Sequence, residues 1–184
     1  CGKYGNLANY VPGGDYVVIK FAKWAFEKFK GAQDKLTTQM KAVGEVMSIG
    51  RTFKEAYQKA IRSLEIGRYG LGHVAKFEEK TAEELVELLR TPSSERQFII
   101  YEALKKGVSV DTIYDLTKIK KEFLNDILDL VREEEAISAC TLETLSDEAL
   151  KAAKLDGFSD RYLAALLGCA ETDVAARRES LGIV

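Results

Sequence analysis

The sequence predicts a mainly α-helical protein with a short β-containing segment near its N-terminal end, and three observations predict it. Only one stretch, Asp15-Tyr16-Val17-Val18-Ile19-Lys20-Phe21, is dense in β-branched and aromatic residues, and it follows the breaker Pro12-Gly13-Gly14. From Thr52 onward, apolar residues recur at helical spacing between capping residues and glycines. The 184 residues are 46% hydrophobic and 30% charged with 2 prolines, a globular composition able to bury a core.

The first strand is a continuous apolar run, which predicts burial on both faces and hence sheet neighbours. The chief partner candidate is Val43 to Ile49. Two short strands fall below what a sheet needs to stand alone, so this part reads as the tail of a larger unit. Thr52 and Glu55 form a capping box. The helix they open carries Phe53, Ala56, Tyr57, Ala60, Ile61 and Leu64 on one stripe and stops at Gly67. Gly67-Arg68-Tyr69-Gly70-Leu71-Gly72 then predicts a joint; it has neither the dinucleotide nor the P-loop spacing, so a turn is favoured over a phosphate cradle.

Thr81 and Glu84 form a second capping box, ahead of Leu85, Leu88 and Leu89, and Thr91-Pro92 ends that helix. Ser93 or Ser94 is placed to cap the next, through Phe98, Ile99, Tyr101, Ala103 and Leu104 to Gly107. Helices follow over about Val110 to Leu116 and Lys120 to Ala139, and three short ones start near Ser146, Ser159 and Glu171. Two stretches repeat at an offset of 50: Gly107-Val108-Ser109 matches Gly157-Phe158-Ser159, and Ile113, Leu116, Ile119 and Leu124 match Leu163, Leu166, Cys169 and Val174. Each reads as a helix-turn-helix skeleton.

Charge narrows the functions. Residues 1–70 hold 12 Lys and Arg against 6 Asp and Glu, and residues 71–184 hold 15 against 23. The second helix of the later repeat sets Arg177 and Arg178 among Glu171, Asp173 and Glu179, a poor nucleic-acid reader. The single histidine, His73, excludes two-histidine zinc sites, and no G-x-S-x-G supplies a nucleophile for it, so it reads as a loop histidine. Cys1, Cys140 and Cys169 are scattered and odd in number, which fits free thiols in a reducing compartment. No apolar run is long enough to span a bilayer, and no signal peptide is expected at Cys1-Gly2-Lys3.

One set of blocks is more specific. Asp15 to Lys20, Phe26-Glu-Lys-Phe29, Leu36-Thr-Thr-Gln-Met-Lys41 and Val43-Gly-Glu-Val-Met-Ser-Ile-Gly-Arg-Thr52 resemble the large chain of carbamoyl phosphate synthetase, at the end of its first ATP-grasp unit. The resemblance continues through Gln58-Lys-Ala60, Arg62-Ser-Leu-Glu65, Gly70-Leu-Gly72, Pro92 to Gln97 and Gly157 to Tyr162. Departures are small: Ala22-Lys23 stands where the family usually has Pro-Arg, and Ala42 where it often has Ser.

The resemblance implies a division into residues 1–69, the last portion of the carboxyphosphate-forming unit, and residues 70–184, a helical oligomerisation domain. It implies a cytoplasmic ligase that makes carbamoyl phosphate for arginine and pyrimidine synthesis. The substrates are bicarbonate, two ATP and ammonia drawn from glutamine by a glutaminase small subunit. ATP and magnesium (or manganese) belong to the full enzyme; the residues that bind them are expected upstream, leaving no cofactor in this chain and no activity of its own. Glu45 is implied to line the carbamate path, with Gly44, Gly50 and Arg51 supporting the turn, and Leu85 to face a partner copy while Leu88 and Leu89 face the core. The implied partners are the small subunit, the remaining large-chain domains and a second copy, with no nucleic acid and no membrane. The competing readings are a free-standing helical interaction module and a helix-turn-helix DNA binder.

Overall fold

A computed structural model describes residues 14–26 and 31–183. Cys1, Pro12-Gly13 and most of the Phe26 to Phe29 block lie outside the described residues. Strands β1 (Val17–Lys23) and β2 (Gly44–Gly50) pair antiparallel, with Val17 opposite Gly50 and Lys23 opposite Gly44. The alternation of side chains across the pleat gives this sheet two unlike faces. The inner face packs on helix α1 (Phe53–Ser63): Phe21 meets Tyr57 at 5.3 Å between ring centroids, and Ser48 Oγ donates to the Ala56 carbonyl at 2.5 Å. The outer face stays open, with Val18, Met47 and Ile49 each more than 40% exposed. The apolar run of β1 is therefore covered on one face here, not two.

Gly50 explains how closely α1 approaches. A Cβ there would stand 2.7 Å from the Ala56 nitrogen, so only glycine lets the strand end lie against the helix. At the start of α1 the expected reciprocal box is shifted. Thr52 accepts from the Glu55 N–H at 3.2 Å, but the Glu55 carboxylate takes the Arg51 N–H, at 2.6 Å.

After the joint come α2 (Ala75–Glu78), α3 (Ala82–Leu89), α4 (Arg96–Lys105), α5 (Val110–Thr117), α6 (Lys121–Ser138), α7 (Asp147–Leu155), α8 (Asp160–Leu167) and α9 (Glu171–Ser180). The short α2 has no capping side chain and was not legible as a helix. At α3 the full reciprocal box forms between Thr81 and Glu84. Neither Ser93 nor Ser94 caps α4: Ser94 instead bonds Asp34 twice, through its N–H at 2.8 Å and its hydroxyl at 2.6 Å. A partner 60 residues away thus outcompetes the local cap.

Helix α4 runs buried from Phe98 to Leu104 and forms the axis of the helical domain. The two repeats fold alike. Ser109 and Ser159 cap their helices, and Lys118 and Gly168 end them in the left-handed conformation, at φ 57° and 66°. One core runs from Ile61 and Leu64 of the α1 segment through Leu85, Leu89, Phe98, Ile113, Leu124 and Phe158 to Val174. No helix among the described residues is long and apolar enough to cross a membrane.

Candidate functional site

Three places bring the sequence-marked residues together. The first is the sheet rim. Glu45 sits on the outer face of β2, opposite Ala22, and its carboxylate pairs with Lys20 at 2.9 Å with both side chains more than half exposed. Gly44 precedes it, exposed, with room for a Cβ in van der Waals contact with Lys23, while Gly50 is buried against α1. Arg51 is exposed and serves the turn through its backbone N–H. The expected group thus divides: Gly44 and Glu45 face outward, and Gly50 and Arg51 shape the strand-to-helix turn.

The second place is α3, where the expectation for Leu85 is corrected. Leu85 and Leu89 have no exposed surface and pack into the core, whereas Leu88 is 39% exposed. The reason is geometric. Residues i and i+4 stack on one face of a helix, and α3 turns that face toward α4 and α5, which leaves the residue between them at the rim. Leu88 is the surface leucine of this helix, beside Glu84 and Glu87.

The third place is the joint. Glu134 on α6 is 1% exposed, yet its carboxylate is fully used. It accepts from Tyr101 at 2.6 Å, Tyr162 at 2.5 Å and Lys105 at 2.7 Å. Burial, then the neighbouring Glu134 charge, pushes both tyrosine hydroxyls well above their ordinary range. Burial works against the Lys105 charge, but the Glu134 bond and the charges of Glu134, Glu102 and Glu78 together raise that amine. A Cβ on Gly72 would stand 2.6 Å from the Glu134 carboxylate, and one on Gly70 would meet the Tyr162 ring at 2.9 Å. Gly70 and Gly72 are therefore filled from below by side chains, which makes them packing glycines and not a phosphate cradle, while Gly67 turns the chain at φ 75°. His73 adopts φ 54° at the joint's end, edge-on to Tyr162 and 3.6 Å from Glu78.

This network was not anticipated, but a signal for it stands in the sequence. Glu134 occupies a place in the stripe Leu124, Ile127, Leu130, Val131, Ile137, where every other member is apolar.

Next to the joint, α1 is stapled to the turn after α7. Lys54 pairs with Asp156, Gln58 Nε2 donates to the Asp156 carbonyl at 3.1 Å, and Arg62 donates to the Gly157 carbonyl. Gly157, at φ 92°, permits this: a Cβ would meet the Glu55 backbone at 3.1 Å. Glu133 lies beside the same pair. Burial first, then the Asp156 charge, raises its carboxyl to about 7.

Chemically, these places hold side chains and clamp backbone. Among the described residues no group of three or more His, Cys, Asp or Glu is placed to hold a metal ion, and Cys140 and Cys169 are free thiols. Arg177 and Arg178 are tied into the fold. Arg177 reaches the Leu142 and Leu145 carbonyls and Asp147, and Arg178 reaches Asp160 and the Ile183 carbonyl. They are not projected as base readers would be.

A helical core closed on itself, hung on the edge of a two-stranded sheet, defines the class: a helical domain with internally repeated helix pairs. Residues 45–182 match the family model described as the carbamoyl-phosphate synthetase large chain, oligomerisation domain, and the chain belongs to that family. It is 49% identical to the carbamoyl phosphate synthase large chain of Archaeoglobus fulgidus, over 96% of this chain and 17% of that one. It is 45% identical to the arginine-specific, chloroplastic large chain of Arabidopsis thaliana, over 96% of this chain and 15% of that one. Against the N-terminal section of the large chain of Aquifex aeolicus the identity is 46%, over 96% and 31%. The chain thus spans 17% or less of the two full-length relatives.

Proposed function

We propose that this chain is the scaffolding and self-association part of the large subunit of a glutamine-dependent carbamoyl phosphate synthetase. Residues 1–69 end the carboxyphosphate-forming unit, and residues 70–184 are the domain through which copies join. The observation that carries this reading is the match of residues 45–182 to a domain described by its role in oligomerisation. The whole enzyme works in the cytoplasm and serves arginine and pyrimidine synthesis. It takes ammonia from a glutaminase small subunit and uses two ATP with magnesium (or manganese).

The residues here do not fit ATP or its metal, since the Gly-rich joint is packed under Tyr162 and Glu134. Phosphoryl transfer needs cations and donors positioned around the phosphates, so nucleotide chemistry belongs to other parts of the subunit. What this chain supplies is position. Glu45, ion-paired at an exposed rim, lines the carbamate path once the rest of the subunit closes over the sheet's outer face. Leu88, at the surface of α3, meets a second copy.

Two measurements test the reading. Calorimetry on this chain should detect no magnesium-dependent ATP binding; micromolar binding would overturn the assignment. In the intact subunit, Leu88→Glu should shift sedimentation to a smaller species with helical content unchanged, because a carboxylate is disfavoured in an apolar seam between copies. Unchanged sedimentation would move the interface off α3.

A further inference from the structure

The seam between the sheet and the helical domain does not close completely. A cavity of about 370 Å³ remains between β1, α1, α4 and α6. Its wall is aromatic and aliphatic: Phe53 stacks on Tyr57 at 5.0 Å and tilts onto Phe123 at 4.9 Å, with Ile100 and Ile127 behind. Two cations are among its lining residues: Lys20, which is paired with Glu45, and Arg96. Arg96, the first residue of α4, has its Nε buried with no hydrogen-bond partner among the described residues. Burial lowers this guanidinium's pKa, but an arginine remains charged.

Arg51, Arg62 and Arg161 also lack a carboxylate partner, but Arg96 is the arginine whose buried Nε has no hydrogen bond among the described residues, and several others are ion-paired. Arg68 has Glu95, Arg132 has Asp129, Arg177 has Asp147 and Arg178 has Asp160. Arg96 pairs with no carboxylate among the described residues, and its side chain is half-buried with the Nε shut from solvent, so an anion placed against it would gain a charge-assisted bond. The guanidinium fork matches a carboxylate, which can accept from it twice.

We propose that this cavity binds a small carboxylic acid with a compact apolar body, its carboxylate on Arg96 and its body against Phe53, Tyr57 and Ile127. The volume lies at the low end of the roughly 300–1,000 Å³ typical of small-molecule sites, and it has no room for a helix or strand of a partner. The aromatic wall favours a flat body over a branched one. The site is separate from Glu45, which lies on the opposite face of the sheet.

The test uses the full-length protein with 3-phenylpropionate and its uncharged amide as probes, followed by calorimetry and by ligand-observed NMR. The acid should bind, and the amide should bind about tenfold more weakly, since it loses the charge-assisted bond. Arg96→Met should remove the preference for the acid. If that variant fails to fold, Ile119→Phe, which fills the cavity and leaves Arg96 in place, should abolish binding of both probes. Equal binding of acid and amide, or an acid preference that survives Arg96→Met, would overturn the proposal. So would the absence of binding in the full-length protein, which would make the cavity the seat of an acidic side chain from elsewhere in that protein.

Discussion

The sheet and the helical domain treat apolar surface in opposite ways. The helical domain turns Leu85, Leu89, Ile113, Leu124 and Leu150 inward with essentially no exposure, and it caps its helices with Ser109, Ser146 and Ser159. The sheet covers one face with α1 and leaves Val18, Met47 and Ile49 open on the other, around a single Lys20–Glu45 pair. The helical domain closes its core, and the sheet keeps one apolar face open. A two-stranded sheet is marginal alone, so its order here depends on α1 and on the staples that hold α1 to the helical domain.

Substitutions of decreasing effect can break or sharpen this contrast. Leu85→Glu should be the most damaging. It places an unpaired carboxylate in the closed core at about 4 kcal/mol, a large part of a domain's stability, and should lower the melting transition followed by circular dichroism sharply. If melting were unchanged, the core would not be closed at α3.

Glu134→Leu comes next, at about 3 kcal/mol, because Tyr162 loses its acceptor, Tyr101 keeps only the longer bond to the Leu130 carbonyl, and Lys105 loses its partner. Chemical denaturation measures this. A stabilised variant would mean that the network serves something other than the joint.

Glu133→Gln is smaller and depends on pH. The folded carboxyl, raised to about 7, lies above its unfolded value, so the folded state holds the extra proton between roughly pH 4.5 and 7. Stability from this residue is therefore present at low pH and lost as pH rises through 7. Melting at pH 8 should favour the Gln variant by about 1 kcal/mol, solvent screening trimming the full linkage, and the gain should vanish at pH 5. The opposite dependence would remove Glu133 from the α1 staple.

Met47→Lys should be nearly silent, within about 0.5 kcal/mol in this chain, because its side chain is 61% exposed. In the intact subunit the same change should lower stability or yield. Silence there as well would mean that nothing covers the outer face.

Much of the fold was legible because its signals are local. Capping serines and threonines, the helical stripes and the two repeats all act within a few residues, and they mark α3 and α5 to α9 closely. What failed was decided at long range. Ser94 was drawn from capping duty by Asp34, and Leu85 and Leu88 exchanged places because an eight-residue helix carries leucines on adjoining rows. Only the packing of α4 and α5 decides which row is buried. Within the candidate site, Gly50 and Arg51 were readable as a turn, whereas the Arg96 cavity was not. An arginine without a partner looks in sequence like any other.

The attachment of α1 to the turn at Asp156 and Gly157 has a consequence for biosynthesis. Lys54, Gln58 and Arg62 find their partners 102, 98 and 95 residues further along the chain. While the ribosome is still adding those residues, for roughly 5–20 s, α1 lacks its Asp156 and Gly157 partners and can rest only on contacts made earlier, such as Phe53 on Phe123. Closing so long a loop is also slow once synthesis ends. The turn after α7 therefore completes the docking of α1, and a truncation before Gly157 should leave α1 more loosely held.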